Sequence, residues 1–419
     1  MRILWTVNTM PPEFSKELGM RSTHAISWID AMSKRIKLVQ DVQLAIVASG
    51  GRQSGSVLCR NIDGITYYVL PTDWNKKDYW AEIISEFQPD VIHAYGTEGR
   101  HNLSLIENYG KKIPIIISLQ GIVSGYLRYY YAGMSQGDIL KSMTIGDLLL
   151  KRTIWSGRSG FKKQIPIERR MIQGVSYVEG RSTWDRVFSR SINKEVVYYE
   201  CPRMIRAPFF DHQWNYDQCE PQTILVHQGN YPIKGLHMML DALALIKEEY
   251  PRVKMYIAGN IRFQPKTLKQ RLLFSGYTKH LRKKIHTLGL ENNIECTGYL
   301  NADEMAAKLA SVNVCVIPSA IENAPNSLAE AMIVGTPCVA SYAGGSAEML
   351  NQGECGMLYR YEEPEMLAEC IRNYFGNEVI AQEKSENAQK VARTRHHPVQ
   401  LVERLMGIYT DVVNDFHRQ

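Results

Sequence analysis

Short, β-rich apolar runs alternate with amphipathic helical patterns along nearly all of this 419-residue chain. The alternation is typical of parallel α/β proteins, in which a helix carries the chain from the end of one strand to the start of the next. A chain of this length exceeds one ordinary domain of roughly 100–200 residues, so the sequence predicts two. We therefore expect two doubly wound, Rossmann-like domains facing a cleft.

A breaker-rich stretch near the middle of the sequence predicts the domain boundary. Residues 206–221 contain Pro208 and Pro221 and lack hydrophobic periodicity, which is typical of a linker. We expect an N-terminal domain over 1–205 and a C-terminal domain over 222–398. The last amphipathic helix pattern, 399–419, follows Pro398 and is expected to cross back to the N-terminal domain. The predicted strands cover residues 3–7, 43–48, 65–70, 91–95, 115–119, 174–178, 196–199, 223–228, 254–258, 294–297, 314–317 and 338–341.

Charge and targeting signals narrow the range of partners. The formal net charge is +6, which is too mild for a nucleic-acid coat but compatible with anionic small molecules or an anionic membrane face. We find no signal-peptide pattern and no apolar run of about 18 residues. The eight cysteines are scattered without a C-x-x-C pair, which favours buried thiols in a reducing compartment. We expect a cytoplasmic protein, either free or peripheral on the cytosolic face of a membrane.

The segment 314–332 carries the most chemical information. It reads as a buried strand, a polar turn and a helix start, with Pro325 ending the turn and Asn326 or Ser327 able to cap the helix. A helix start offers free N–H groups and the positive end of a dipole to an anion. Glu322 and Glu330, eight residues apart, could grip a sugar on one side and a ribose on the other. The alternative is that both glutamates are solvated surface charges.

This segment resembles the E-x7-E signature of glycosyltransferase family 4. The likeness extends beyond the two glutamates to Pro325-Asn326, Glu330-Ala331-Met332, Gly335-Thr336-Pro337 and Gly344-Gly345. The resemblance implies a GT-B fold and a metal-independent, retaining enzyme of the hexosyltransferase type. It also implies that Glu330 binds the ribose hydroxyls and that Glu322 contacts the donor sugar. The backbone of Asn326, Ser327 and Leu328 would hold the distal phosphate.

A second anion-binding element follows the predicted strand 223–228. Gly229 permits close backbone approach, and Lys234 lies at a helix start, where a lysine can pair with phosphate. The element resembles the family's G-R-x4-K-G pattern, but Asn230 stands where arginine is usual, so Arg262 could replace that cation. Tyr299, after the strand 294–297, falls where such enzymes seat the base; it could equally be a core aromatic.

The first half contributes candidates for the acceptor site. Gly19 lies in the loop after the first strand, where the family carries glycines near the donor phosphates. Glu98 and His101 follow the strand 91–95 and are expected to line the cleft, whereas His93 within that strand is expected to be a core residue. Gln120 occupies a position at which the family often has histidine. The stretch beginning Arg181-Ser182-Thr183-Trp184-Asp185 resembles a bacterial polysaccharide-assembly subgroup, in which the arginine could reach a ligand or form a structural ion pair.

The resemblance implies a specific reaction. A sugar moves from a nucleotide-diphosphate sugar, either a UDP-sugar or a GDP-sugar, to a hydroxyl of a glycan or lipid-linked acceptor in surface polysaccharide assembly. Lys234 and Glu322 would be the catalytic side chains, and no cofactor or metal is expected. The alternatives are a sugar-nucleotide epimerase of the same fold and a non-catalytic sugar-nucleotide-binding protein. A nicotinamide oxidoreductase would need G-x-G-x-x-G after the first strand, which residues 8–19 lack.

Basic and aromatic residues cluster in three stretches, 126–131, 151–163 and 266–284. They are either solvated surface or a peripheral contact with anionic lipid and a lipid-linked pyrophosphate acceptor.

Overall fold

The structure is a computed structural model of the chain. It describes residues 1–19, 27–49, 55–227, 229–259, 261, 263, 267, 270 and 274–418. The chain divides into two compact units: unit 1 holds Met1–Ser124, Lys163–Arg206 and His396–Gln419, and unit 2 holds Gly125–Lys162 and Ala207–Arg395. The segment predicted to be a linker, 206–221, contains a short helix and the start of a strand, and all but its first residue falls in unit 2.

Unit 1 is built on an eight-stranded sheet in the order β3-β4-β2-β1-β5-β6-β7-β8. Its central strands are continuous apolar runs, as expected for parallel strands that are covered on both faces. The strands are β1 (Arg2–Val7), β2 (Gln43–Ala48), β3 (Leu58–Ile62), β4 (Ile65–Val69), β5 (Val91–Tyr95), β6 (Ile115–Ser118), β7 (Tyr177–Gly180) and β8 (Val197–Glu200).

One strand of this sheet departs from the parallel prediction. Strand β3 was not among the predicted strands, and it pairs antiparallel with β4 at the sheet edge. The two strands are joined by Asp63 and Gly64, which both have positive φ angles, of 50° and 81°. A two-residue Asp-Gly loop with positive φ at both positions is a favoured hairpin turn, because its twist matches that of the flanking strands.

Unit 1 is completed by helices on both faces of the sheet. Those that lie wholly within it are α1 (Pro12–Glu17), α2 (Ser27–Ile36), α3 (Tyr79–Phe87), α4 (Arg100–Tyr109), α9 (Thr183–Ile192) and α18 (Pro398–Arg418). The C-terminal helix α18 packs into the unit 1 core, as the sequence predicted. There the Tyr409 hydroxyl accepts a hydrogen bond from Trp5 Nε1 at 2.8 Å and lies 2.7 Å from His93 Nδ1.

Unit 2 is built on a six-stranded parallel sheet in the order β11-β10-β9-β12-β13-β14. The predicted strands of the second half all form, and a further short strand extends the sheet at β14. The strands are β9 (Glu220–His227), β10 (Lys254–Ala258), β11 (Ile294–Gly298), β12 (Val312–Ile317), β13 (Cys338–Ser341) and β14 (Met357–Tyr359). The fold class is thus confirmed as two doubly wound α/β domains.

The helices of unit 2 include a group from the first half of the sequence. That group is α6 (Gln136–Ser142), α7 (Ile145–Leu149) and parts of two helices that span a division between the units. These two helices are α5 (Val123–Leu127), which enters unit 2 at Gly125, and α8 (Ile154–Gln173), which leaves it after Lys162. The remaining helices are α10 (Pro208–Asp211), α11 (Leu236–Glu249), α12 (Gly276–Thr287), α13 (Ala302–Ser311), α14 (Asn326–Val334), α15 (Ser346–Met349), α16 (Pro364–Gly376) and α17 (Glu378–Arg395). None of the described helices is long and apolar enough to cross a membrane.

The eight cysteines are free thiols, and six of them are buried, whereas Cys59 and Cys296 are partly exposed.

Candidate active site

The strand order of unit 2 brings two loops together. Strand β9 is the first strand of this sheet in the sequence and lies between β10 and β12. The strands β10 and β11 extend the sheet on one side of β9, and β12, β13 and β14 extend it on the other. Such a reversal of the strand order opens a crevice at the carboxyl ends of the two central strands, which is where doubly wound sheets bind ligands. The loop after β9 carries Lys234, and the loop after β12 carries Glu322.

Lys234 and Glu322 form an ion pair at this crevice. Lys234 Nζ lies 2.5 Å from Glu322 Oε1, and the same oxygen accepts a hydrogen bond from the Ser319 hydroxyl at 2.8 Å. Burial is the largest single influence on the Lys234 ammonium and lowers its pKa, but the charge and hydrogen bond of Glu322, together with Tyr231 and Tyr126, raise it by more in sum. The pKa of Lys234 therefore lies above its ordinary value. The group is therefore a fixed positive charge at neutral pH, only 21% exposed.

Two glycines allow the Glu322 loop to approach its neighbours closely. Gly235 has a φ of 69°, and a Cβ on it would lie 1.6 Å from the Pro318 carbonyl oxygen. Gly344 has a φ of 57°, and a Cβ there would lie 1.7 Å from the Glu322 carbonyl oxygen. That carbonyl accepts the Gly345 N–H at 3.0 Å. The loop that carries Glu322 is thus packed against backbone at Pro318 and at Glu322 itself, and a side chain on either glycine would displace the loop at that point.

Helix α14 begins immediately after this loop. Pro325 is its N-cap and no side chain caps it, so the predicted capping by Asn326 or Ser327 is wrong. The cap residue carries no side-chain acceptor; instead its carbonyl accepts the Leu328 N–H at 3.1 Å. The phosphate role predicted for the Leu328 backbone thus falls on a donor that already has an acceptor. Asn326 and Ser327, both half-buried, stand at the helix start.

Glu330 lies one turn into α14 and is 9% exposed. Burial and the nearby charge of Glu330 both raise the pKa of the Cys315 thiol on β12, which places the carboxylate close to this strand. Glu322 is 8% exposed. Neither glutamate is a solvated surface charge, so that alternative is wrong.

The loop after β9 is partly described. Gly229 is packed so closely that a Cβ would lie 2.2 Å from Leu236 Cδ2, while Asn230 is exposed. Gln228 and Arg262 lie outside the described residues. At the end of β11, the Tyr299 side chain is 54% exposed, so Tyr299 is not a core aromatic. It follows Gly298, whose carbonyl accepts the Gly259 N–H at 2.8 Å.

A second polar cluster lies in unit 1. Strand β1 has β2 on one side and β5 on the other, so the chain direction reverses here too. Asn8 follows β1 and donates to Glu98 Oε2 at 3.2 Å. Burial raises the pKa of the Glu98 carboxyl and lowers that of His101, at the start of α4, to about 4. Buried Asn8 Oδ1, Thr97 Oγ1 and His101 Nε2 have no hydrogen-bond partner among the described residues.

The remaining residues predicted from the first half lie at three separate places in unit 1. Arg181 donates from a guanidinium nitrogen to the Gln120 carbonyl at 2.7 Å, which brings these two candidates together. Gly19 has a φ of 62° in the turn after α1, a helix that the sequence did not predict within this loop. His93 is fully buried, 3.6 Å from Glu179, which confirms it as a core residue.

Tyr126 is a site residue that the sequence did not reveal. It belongs to the first-half segment that is part of unit 2, and its hydroxyl accepts the Asn323 N–H at 3.1 Å, next to Glu322. Its electrostatic influence also raises the pKa of Lys234. The aromatic run 126–131 was a visible signal, but nothing in the pattern indicates that the segment belongs to the same unit as the second-half strands.

Comparisons with known proteins bear on this site. The family model for glycosyl transferases group 1 matches residues 222–377, which include Lys234, Glu322 and Glu330. The chain carries a group 1 glycosyltransferase domain. Several relatives are named glycosyltransferases: an uncharacterized one from Methanocaldococcus jannaschii is 22% identical over 353 residues, covering 80% of this chain and 87% of the relative. The MMP alpha-(1->4)-mannosyltransferase of Mycolicibacterium hassiacum is 33% identical over 138 residues, covering 33% of this chain and 30% of the relative.

Solved structures confirm the GT-B fold of the chain. Sucrose-phosphate synthase from Thermosynechococcus elongatus matches 99% of this chain and 100% of its own with a TM-score of 0.71, at 13% identity. Anabaena HepE, solved in complex with UDP and glucose, matches 98% of this chain and 100% of its own with a TM-score of 0.67, at 17% identity.

Proposed function

We propose that this glycosyltransferase moves a hexose, with retention of anomeric configuration, from a nucleotide-diphosphate sugar to an acceptor hydroxyl. The observation that carries the proposal is the Lys234–Glu322 pair at the carboxyl ends of β9 and β12, directly before the start of α14. A fixed cation and a helix start together suit a diphosphate, because both stabilise negative charge. HepE binds UDP and UDP-glucose, which supports a UDP-sugar as the donor; a GDP-sugar is the other donor we consider.

The leaving diphosphate gathers negative charge as the glycosidic bond to the sugar breaks. Lys234 and the backbone N–H groups of Asn326 and Ser327 at the start of α14 stabilise that charge, and no metal ion or other cofactor takes part in the proposed step. Glu322 orients the donor sugar through its carboxylate, while Glu330 accepts hydrogen bonds from the ribose hydroxyls. We assign no protein nucleophile; the departing phosphate itself accepts the proton of the acceptor hydroxyl. Tyr299, at the end of β11, borders the proposed position of the base.

The acceptor is assigned to unit 1. A buried polar atom without a partner costs about 1–3 kcal/mol, so Asn8 Oδ1, Thr97 Oγ1 and His101 Nε2 together favour a ligand that offers hydroxyl groups. Glu98, which Asn8 already contacts, adds an acceptor to the same cluster. A glycan or a lipid-linked sugar has this chemistry. We place the reaction in surface polysaccharide assembly, on the cytosolic side of a membrane.

The Glu322→Ala variant tests the assignment. Turnover should fall by about 10²–10³-fold, because the donor sugar loses its orienting group. Nucleotide affinity should change by no more than a few fold, since Lys234, released from Glu322, can pair with the diphosphate instead. The measurement is acceptor-dependent release of nucleotide, with isothermal titration for binding. Wild-type turnover in this variant would end the role of Glu322, and a free epimerised sugar nucleotide formed without acceptor would favour an epimerase.

A further inference from the structure

Residues 140–150 of unit 2 turn a group of apolar side chains toward solvent. Leu140, Ile145, Leu148, Leu149 and Leu150 are each more than half exposed, and Ile145 and Leu149 reach 75% and 71%. Among the described residues, these five make up one third of all exposed large hydrophobic side chains. Single exposed leucines are ordinary on a protein surface, whereas a contiguous group marks an interaction surface.

The polarity of this short segment is the reverse of that of an ordinary surface helix. Asp147, in α7 among the leucines, is 2% exposed. Its Oδ2 accepts the Gly276 N–H at 2.7 Å and the Thr144 N–H at 3.3 Å, and its Oδ1 lies 3.3 Å from Arg152 Nε. The Thr144 hydroxyl donates to the Phe274 carbonyl at 3.1 Å. The polar side chains of this helix therefore face the protein and hold it in place, while its apolar side chains face solvent.

The anchors hold the segment on helix α12. Lys279 Nζ donates to the carbonyls of Lys141 and Met143 at 3.0 and 3.2 Å, so the turn between α6 and α7 is tied to the same helix. The leucines thus project from a fixed support rather than from a loop that could fold over them.

The surroundings of the leucines are strongly basic. Residues 125–162 contain six lysines and arginines against two acidic residues, and α12 contains four against none. The two stretches together carry eight net positive charges, two more than the whole chain, so the rest of the chain is net negative. Arg282 and Lys283 on α12 and Lys151 beside Leu150 are exposed. A second copy of this surface would bring like charges together, which disfavours self-association as the occupant.

We propose that residues 140–150 and the exposed basic residues of α12 form a docking surface for an anionic lipid bilayer. The leucines enter the interfacial region, where apolar side chains leave water, and the lysines and arginines pair with headgroup phosphates. The proposal is separate from the chemistry of glycosyl transfer, since none of these side chains belongs to the Lys234–Glu322 site.

Flotation of the full-length chain with vesicles tests the surface. Wild type should float with vesicles that contain phosphatidylglycerol and remain behind with pure phosphatidylcholine, and binding should weaken as salt screens the headgroups. The double variant Leu148→Glu, Leu149→Glu should bind the anionic vesicles at least about tenfold more weakly. Val379→Glu is the matched control, because Val379 is 74% exposed on α17 of the same unit and should bind like wild type.

A charge variant provides a second, independent test. Arg282→Glu with Lys283→Glu should lose binding to anionic vesicles by a similar factor and should flatten the salt dependence. Nucleotide release in vesicle-free buffer should be unchanged in both double variants, so a failure of docking is distinguishable from a failure of the proposed reaction. Docking is overturned if wild type does not float with anionic vesicles, or if the leucine variant floats like wild type. Docking is also overturned if wild type forms a dimer in sedimentation experiments and the only effect of the leucine variant is to abolish that dimer.

Discussion

Replacing Gly344 with alanine tests whether the backbone that holds Glu322 governs turnover. The added Cβ would lie 1.7 Å from the Glu322 carbonyl oxygen, and ordinary contact begins at about 3.4 Å. The two atoms must therefore separate by about 1.7 Å, the difference between these distances. The carbonyl also accepts the Gly345 N–H, so the displacement strains that hydrogen bond. The Glu322 carboxylate, which is proposed to orient the donor sugar, would be displaced together with its backbone.

The expected magnitudes follow from these contacts. A non-glycine residue at a φ of 57° costs about 1–2 kcal/mol, and loss of the Gly345 hydrogen bond adds about 0.5–1.5 kcal/mol. The free energy of unfolding should therefore fall by about 1.5–3.5 kcal/mol. A displacement of about 1 Å at a reacting centre costs about 100-fold in rate, so turnover should fall by at least that factor.

Gly289→Ala is the matched control for Gly344→Ala. Gly289 has a similar φ of 63°, but the nearest atom to its added Cβ is Lys247 Nζ at 3.8 Å, an ordinary contact. It should show the backbone cost in thermal unfolding without the loss of turnover. Both variants are assayed for acceptor-dependent nucleotide release at saturating donor. Turnover of Gly344→Ala within about twofold of Gly289→Ala would refute the reasoning.

Two further variants probe neighbouring contacts. Tyr126→Phe removes the acceptor of the buried Asn323 N–H, so it should lower the free energy of unfolding by about 1–3 kcal/mol and raise the KM for donor. The control is Tyr129→Phe in the same segment, which should change neither quantity because Tyr129 is 44% exposed. Equal KM values for the two variants would show that Tyr126 is not part of the site. Burial lowers the pKa of His237 to about 4 from an ordinary 6.5, so the unfolded chain binds the proton more readily than the folded chain does. The free energy of unfolding should therefore fall as the pH drops from about 6.5 toward 4, by up to about 3 kcal/mol near pH 4. Urea unfolding at several pH values should show a shallower loss in His237→Gln; an identical slope would exclude His237 as its source.

The sequence was sufficient for the parts of the fold that depend on local pattern. Continuous apolar runs such as Val312–Ile317 are buried parallel strands, and the polar turn before Asn326 leads directly into a helix. The pairing of Lys234 with Glu322 was also accessible, because strands that enclose a reversal of chain direction bring their following loops together. The hairpin at Asp63-Gly64 could have been predicted from its turn residues.

Other features depend on tertiary packing that periodicity does not encode. The pattern of residues 125–162 shows which faces are apolar but not which sheet they pack against, so Tyr126 was assigned to the wrong domain. Asp147 reads as a surface charge, yet it is buried by the Gly276 N–H and Arg152. The Pro325 N-cap was missed because the side chains of Asn326 and Ser327 are good caps in isolation but lie one and two residues too late.

A thermal-shift panel of UDP, GDP, ADP and CMP, run with a chelator present, tests the donor site most directly. A nucleotide diphosphate at 100 times its dissociation constant should stabilise the protein by about 2.7 kcal/mol. We expect this with UDP or GDP and not with CMP, and we expect the shift to shrink in both Lys234→Met and Glu330→Ala. Stabilisation by none of the diphosphates, or an undiminished shift in both variants, would contradict a nucleotide-sugar site at Lys234, Glu322 and Glu330.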